Sequence, residues 1–177
     1  MSEFPDVRLQ QVAYTDWSQQ MSRQKAAGLL LRYPETTIVW AASDFISLGA
    51  IDAIEQLGKS PGIDILTGGI DWTDRGLQSV YEKRMTVTVG GHFMEGAWAL
   101  ILLHDYHHGI DFSDSHGVWL KTKMEALTSD NVHPYLQQFG THNWNQIDFK
   151  QFSKFHNPQL THYRFGLSHI LNGQGES

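Results

Sequence analysis

One aspartate stands where a predicted parallel sheet would meet solvent. Asp71 follows the predicted strand Ile63–Gly69, and the loop Ala42–Asp44 follows an earlier apolar run, Ile38–Trp40. The carboxyl ends of parallel strands lie at one edge of a sheet, where open α/β sheets bind small ligands. A carboxylate at that edge accepts strong hydrogen bonds from hydroxyl groups. Asp71 is therefore the first candidate for contact with a polar ligand; the alternative is a turn residue that only leads into the helix capped by Thr73.

The other groups of reactive side chains in the sequence do not predict a metal site or a catalytic site. His104, His107 and His108 have helical spacing, but the glutamate of a His-Glu-x-x-His metalloprotease motif is absent. We expect these histidines to form the polar end of a helix, and the sequence predicts no metal and no cofactor. Asp71 and Asp74 are spaced like an acid–base pair, yet two acids three residues apart are common in turns. Phosphate-loop, dinucleotide and nucleophile-elbow signatures are missing, so a binding protein is favoured over a doubly wound enzyme.

Composition narrows the class of protein further. The 177 residues are 41% hydrophobic and 18% charged, which is enough apolar material for a core. The formal charge is −6 with no basic run, so we expect no nucleic-acid partner. There are no cysteines, which excludes disulfides and thiolate chemistry. The first residues have no signal-peptide pattern, and the longest apolar run, Ala97–Leu103, is too short to span a bilayer.

Alternating strands and helices would position Asp71 and its neighbours. Asp16 and Asp44 are predicted to cap the first two helices, and Gly58 is predicted to end the second. The pattern predicts an α/β fold with a parallel sheet flanked by helices. The predicted strands are Val7–Ala13, Ile38–Trp40, Ile63–Gly69 and Met85–Val89, and the predicted helices run from Asp16 to Tyr33, Phe45 to Leu57, Thr73 to Lys83 and His92 to Tyr106.

The last third of the chain is less regular and is predicted to be mainly helical. A strand is predicted at Val118–Met124. Helices are predicted at Asn131–Phe139, Trp144–Phe155 and Leu160–Leu171, with Pro134 in the first turn of the first of them.

Several segments in a fixed order resemble the type I periplasmic binding proteins, the sugar-binding components of ABC importers. The same fold serves the effector domains of LacI-type regulators. Trp40 to Ile51 resembles the family's strand, Asn-Asp and apolar-Gly-Ala helix, and Gly69-Ile70-Asp71 is similar to its Gly-Phe-Asp fingerprint. Leu77 to Val89 resembles its helix, basic turn and strand, and Gly90 to Gly96 resembles its hinge and last long helix. The likeness covers about Val7 to Asp111.

The resemblance implies a function and a domain organisation. Residues 1–112 would be the C-terminal lobe, with a hinge near 90–92, and residues 113–177 a strand plus a helical tail. We expect a truncated, non-enzymatic lobe that binds a sugar-like ligand for a membrane permease. The tail also resembles members that report to sensor kinases, such as autoinducer-2 receptors. Expected partners are the missing N-terminal lobe or a second copy of the chain, and the expected location is the periplasm. A LacI-type effector domain is the alternative.

The resemblance also implies site residues. Trp17 matches an aromatic that stacks on the sugar ring, although a core tryptophan is the alternative. Ser43 stands where the family has a ligand-binding Asn, and a turn serine is as good an interpretation. Gly90 lies near a polar ligand position, which His92 would fill instead. The full predicted ligand-binding set is Trp17, Ser43, Asp71, Trp72, Gly90 and His92, with Trp72 as a second aromatic wall.

Overall fold

The computed structural model describes residues 4–113, 122–142 and 144–166. The first part of the chain alternates helices and strands, as expected for an α/β protein. The helices are α1 Gln19–Arg32, α2 Asp44–Gln56, α3 Asp74–Tyr81, α4 Glu95–His107 and α5 Val132–Phe139. The strands are β1 Ile38–Trp40, β2 Leu66–Ile70, β3 Val87–Gly90 and β4 Glu125–Thr128. Short 3-10 helices lie at His92–Met94, Trp144–Gln146 and Phe149–Phe152.

The four strands form one sheet in the order β1-β2-β3-β4. β1 and β2 pair in parallel, with Ile38 opposite Leu66 and Trp40 opposite Gly68. Because α2 connects these two parallel strands, the predicted strand–helix–strand crossover is confirmed. The carboxyl ends of β1 and β2 therefore lie at the same edge of the sheet.

The chain divides into two compact units. Among the described residues, the first unit contains the chain up to Thr88 together with Leu127–Asp130, and the second contains the rest from Val89 onward. This division by compactness does not test the predicted boundary near residue 112, which stays a prediction.

The core of the first unit lies between α1, α2 and the sheet. Small side chains allow the two helices to approach closely: Ala26 of α1 packs against Ala50 and Ala53 of α2. A second buried cluster consists of Leu30 of α1, Ile54 of α2 and Ile65, which directly precedes β2. The alanines bring the two helix backbones together, and the larger side chains fill the space beside the sheet.

Hydroxyl side chains, rather than the predicted aspartates, cap the first helices. Ser18 accepts a hydrogen bond from the Met21 N–H at 3.2 Å, so the prediction that Asp16 caps α1 is wrong. Ser43 accepts from the Ile46 N–H at 3.3 Å, and Asp44 is the first residue inside α2. The local sequence offers two capping side chains in each case, and the cap is the one on the residue directly before the first helical residue.

The predicted strand Val7–Ala13 is wrong, because this segment forms no strand in the structure. Its apolar side chains Val7, Leu9 and Val12 are more than half exposed. The segment is held instead by side chains: Gln10 hydrogen-bonds Glu35 at 2.7 Å and Thr36 at 2.6 Å in the loop after α1. A strand needs a neighbouring strand for its backbone groups, and none of the described strands pairs with this segment.

The second unit is organised around α4. The helix predicted to run continuously from His92 begins instead with the 3-10 helix His92–Met94. The residue before it, Gly91, has a φ of 99°, in the left-handed region. Trp98 of α4 is buried; its ring stacks on Phe165 with centroids 5.0 Å apart and packs at a tilt against Phe152 at 5.1 Å. The opposite stripe of α4 is exposed, including Leu100 and Leu103.

Asp105, fully buried on α4, ties the end of that helix to the last described segment. Its carboxylate accepts hydrogen bonds from the Ser153 hydroxyl at 2.5 Å, the Lys154 N–H at 2.6 Å and the Tyr163 hydroxyl at 2.8 Å. Burial acts to raise the pKa of Asp105, but these hydrogen bonds outweigh it and hold the pKa below its ordinary value. Burial of Tyr163, together with its hydrogen bond to the negatively charged Asp105 carboxylate, raises the pKa of the Tyr163 hydroxyl.

Beyond Gly109 the sequence predicted one helix correctly. α5 confirms the prediction for Asn131–Phe139. The helix predicted at 144–155 is wrong: the Asp148 carboxylate accepts from the Lys150 N–H and separates two 3-10 helices. The strand predicted at 118–124 lies mostly outside the described residues, and β4 begins only at Glu125. Of the helix predicted at 160–171, residues 160–166 are not helical and the remainder lies outside the described residues.

Two glycines in the middle of helices test the α1–α2 packing. A Cβ at Gly28 would meet nothing within 4 Å, so Gly28→Ala should raise the free energy of unfolding by about 1 kcal/mol through helix propensity. A Cβ at Gly49 would collide with the Gln19 carbonyl oxygen and lie 2.8 Å from the Ser22 Cβ. Gly49→Ala should therefore lower the free energy of unfolding by about 2 kcal/mol in urea titrations. Equal effects of the two changes would contradict the close contact of the helices.

Asp105 predicts an acid-dependent loss of stability. Asp105→Ala leaves the buried Ser153 and Tyr163 hydroxyls without their acceptor and should cost about 3 kcal/mol of unfolding free energy at pH 7. Since the folded pKa is below the ordinary 3.8, this stabilisation is complete above that pH and is lost as the pH falls through the folded value. The difference in free energy of unfolding between wild type and variant, measured by urea denaturation, should become smaller as the pH is lowered from 7 to 3. Asp111→Ala, an exposed control, should change stability by about 0.5 kcal/mol or less.

Candidate functional site

Three helix N-termini are linked to one another in the first unit. The Ser22 hydroxyl of α1 donates to the Ile46 carbonyl of α2 at 2.6 Å. The Arg75 guanidinium of α3 donates to the Gln19 side-chain oxygen of α1 at 2.9 Å. The Asp44 carboxylate of α2 accepts from the Thr73 N–H, the N-cap residue of α3, at 2.8 Å. The first turns of α1, α2 and α3 therefore meet at the sheet edge where the sequence placed the site.

Asp71 lies in a turn with an unusual backbone. Asp71 has a φ of 116° and Trp72 a φ of 58°, both in the region that normally favours glycine. Two consecutive side-chain-bearing residues in this region cost about 1–3 kcal/mol each, and such strain persists only where the surroundings enforce it. The turn joins the end of β2 to the Thr73 cap of α3, so Asp71 projects from a rigid connection rather than from a mobile loop.

A second turn repeats this pattern before α1. Asp16 has a φ of 46° and Trp17 a φ of 57°, and Ser18 then caps the helix. Asp71, Trp72 and Thr73 follow the same order of acid, tryptophan and capping hydroxyl before α3. The two tryptophans differ in burial, since Trp17 is 71% exposed and Trp72 is 5% exposed. Trp17 therefore offers a flat, accessible indole, while Trp72 packs inside.

The other predicted site residues have different surroundings. The Trp72 indole Nε1–H donates to the Thr88 carbonyl at 3.1 Å, an arrangement that favours support of the turn. The Ser43 hydroxyl caps α2 and is 4% exposed. Gly90 ends β3 and His92 begins the following 3-10 helix; both belong to the second unit. Ligand contact by each of these residues stays a prediction.

Asp44 is the residue of this region that sequence reasoning undervalued. It is fully buried, and its carboxylate accepts from the Thr88 hydroxyl at 2.6 Å and from the Thr73 N–H and hydroxyl at 2.8 and 2.9 Å. Burial raises its pKa above the ordinary value, hydrogen bonds from both threonines oppose the rise, and the charge of Asp71 adds to it. Its partners lie 29 and 44 residues away in sequence, so no local pattern could have identified this network.

Glycines make room for that carboxylate. A Cβ at Gly69 would lie 2.5 Å from Asp44 Oδ1, and a Cβ at Gly76 would collide with Asp44 Oδ2. The family-like Gly69-Ile70-Asp71 pattern thus has a steric reason here, because only glycine at its first position allows β2 to pass beside Asp44.

The histidines at the end of α4 do not form a metal centre in the structure. The rings of His104 and His108 lie 4.3 Å apart, and His156 stacks on His104 at 5.0 Å. Within residues 4–113, 122–142 and 144–166, no three potential ligands are arranged to hold a metal ion. In the same residues, no helix combines the length and apolar character that crossing a bilayer requires.

The fold and this edge together define a class of protein. A four-stranded β-sheet flanked by helices, with helix N-termini close together at one edge, is the lobe architecture of the type I periplasmic binding fold. The profile of the periplasmic binding protein domain matches residues 1–109, and the chain belongs to this family. A search among curated proteins found no match.

Solved structures give the same result. A periplasmic sugar-binding protein from Pseudomonas fluorescens is 35% identical, with a TM-score of 0.86 over 96% of this chain and 52% of that one. A Mycobacterium smegmatis protein in complex with β-D-fucofuranose is 23% identical, with a TM-score of 0.65 over 80% of this chain and 45% of that one. An Actinobacillus succinogenes solute-binding protein with D-allose is 18% identical, with a TM-score of 0.67 over 76% and 46%. The chain spans about half the length of these structures.

The strained turn predicts an unusual response to substitution. Asp71→Gly should raise the free energy of unfolding by about 1 kcal/mol, because glycine adopts a φ of 116° without the clash of a Cβ. Asp74→Gly is the matched control: the same change in the first turn of α3 should lower it by about 1 kcal/mol. Urea denaturation of both variants measures the difference. A destabilising Asp71→Gly would show that side-chain contacts of Asp71 outweigh the backbone strain.

Proposed function

We propose that the chain is the ligand-binding lobe of a periplasmic solute-binding protein that delivers a sugar-like molecule to the permease of an ABC importer. The observation that carries the proposal is the pair of acid–tryptophan turns, in which a rigid backbone presents Asp71 and the exposed indole of Trp17 beside linked helix N-termini. Family membership and the sugar-binding relative from Pseudomonas fluorescens support it. The protein would bind and release its ligand unchanged, without catalysis.

The chemistry of a sugar matches the two proposed contacts. A carboxylate accepts hydrogen bonds from two adjacent hydroxyls, and a charged acceptor forms the stronger kind. The C–H face of a sugar ring is apolar and packs on a flat aromatic surface, for which Trp17 has the largest ring of any side chain. Ligand contact by Ser43, Trp72, Gly90 and His92 is likewise part of the proposal.

One lobe forms one wall of a cleft. The relatives are about twice as long, since the Pseudomonas fluorescens structure is covered over 52% of its length. We propose that an N-terminal lobe, or a second copy of the chain, supplies the opposite wall. The exposed stripe of α4 that includes Leu100 and Leu103, which are 68% and 60% exposed, supports a need for such a partner. A sensor kinase in place of the permease is a variant of the same proposal.

Titration with a panel of monosaccharides tests the ligand. Chemical-shift changes in the ¹⁵N-labelled chain with D-allose, L-arabinose, D-galactose and D-fucose should give weak binding, with Kd of about 1 mM, because one wall supplies only part of the contact area. The shifts should be largest at Trp17 and Asp71.

Two aromatic variants make this titration specific. Trp17→Ala should abolish the shifts, because it removes the stacking surface. Tyr81→Ala, which removes a half-exposed aromatic at the far end of α3, should leave them unchanged. Micromolar affinity of the isolated monomer would contradict the single-wall proposal, and shifts that survive Trp17→Ala would contradict the stacking role.

A further inference from the structure

We propose that Asp44 is the positioning residue of the ligand wall: its carboxylate fixes the Asp71–Trp72 turn without itself meeting ligand. The ligand part of this inference rests on the proposed function, whereas the positioning part does not. Asp44 is fully buried, so a ligand in the cleft cannot reach it without displacing protein atoms.

The network holds the strained turn at two points, Thr73 directly after it and the indole of Trp72 within it. Asp44 Oδ2 holds Thr73, directly after the turn, through its N–H and its hydroxyl. Asp44 Oδ1 holds the Thr88 hydroxyl, and the Thr88 carbonyl in turn accepts from the Trp72 indole. The Asp44 carboxylate is therefore connected both to Thr73, the residue after the turn, and through Thr88 to the indole of Trp72. Strain of this kind persists where surrounding contacts over-determine the backbone, and these hydrogen bonds supply that constraint.

Acceptor geometry, rather than charge, explains the choice of residue at position 44. Among the described residues, no lysine or arginine forms an ion pair with Asp44. All its polar contacts are donors, and the two hydroxyls among them rotate freely enough to accept as well. An asparagine amide of the same size can keep all of them: its oxygen faces Thr73, and its NH₂ donates to the Thr88 hydroxyl. An alanine keeps none.

Two variants separate these cases without any ligand. In ¹H–¹⁵N spectra of the whole chain, Asp44→Ala should move the Trp72 indole peak and the Thr73 amide peak by more than their line widths. Asp44→Asn should restore both peaks to near their wild-type positions. Ile54→Ala, a buried change in the same helix α2 away from the turn, should lower stability comparably and leave both peaks in place. If Asp44→Ala does not fold, Thr88→Val and its conservative control Thr88→Ser provide the same comparison.

The monosaccharide titration is then repeated on these variants. Affinity should fall at least about tenfold in Asp44→Ala and stay within about twofold in Asp44→Asn, a difference of about 1.4 kcal/mol or more. Unmoved Trp72 and Thr73 peaks in Asp44→Ala would overturn the positioning role. Moved peaks with unchanged affinity would overturn the claim that the positioned turn forms part of the ligand wall. Loss of the peak positions in Asp44→Asn would overturn the argument from acceptor geometry. Moved peaks with no sugar bound even by wild type would refute the proposed function and leave the positioning role standing.

Discussion

A buried carboxylate without a cation is costly, and the first unit of this protein is arranged around one. Asp44 sits at the start of α2 and accepts hydrogen bonds from the cap of α3 and from β3. Burial raises its pKa, and these contacts oppose that rise. Residues 69 and 76 next to it are glycines, and a Cβ at either position would collide with its carboxylate oxygens. One polar group thus dictates where a strand passes, where a helix begins and how the turn between them is shaped.

The two turns that contain the proposed contacts also constrain the backbone at the sheet edge. Two turns of acid, tryptophan and hydroxyl cap lead into α1 and α3, and both place side-chain-bearing residues at positive φ. The cap satisfies free N–H groups in the first turn of each helix, and the acid and the tryptophan before it include the two proposed contacts, Asp71 and Trp17. A wall built this way has little conformational freedom to lose on binding, which leaves more of the contact energy for affinity.

Much of the fold was readable from the sequence, for reasons that particular residues make clear. The apolar run Ile38–Trp40, the helical stripe of α2 and the stop at Gly58 are local signals, and the strand and helix form as predicted. Burial differs, because such an apolar run is typical of a strand buried on both faces, whereas Ile38 and Trp40 are exposed. The family-like motifs predicted Asp71 at a strand end, where the structure has it. The errors came where local signals were ambiguous. Val7–Ala13 contains strand-forming residues, but none of the described strands pairs with it. The helix predicted at residues 144–155 is interrupted by the cap at Asp148.

The sequence by itself determined the order of the elements from α1 to α4, the class of fold and the presence of an acid after β2, because periodicity and capping act over a few residues. Only the tertiary structure decided that Ser43 rather than Asp44 caps α2, that Trp72 is buried while Trp17 is exposed, and that Asp44 joins residues 29 and 44 positions away. The physical reason is range. A hydrogen bond from a buried carboxylate depends on which elements pack beside it, and that packing is set by the whole sheet rather than by neighbours along the chain.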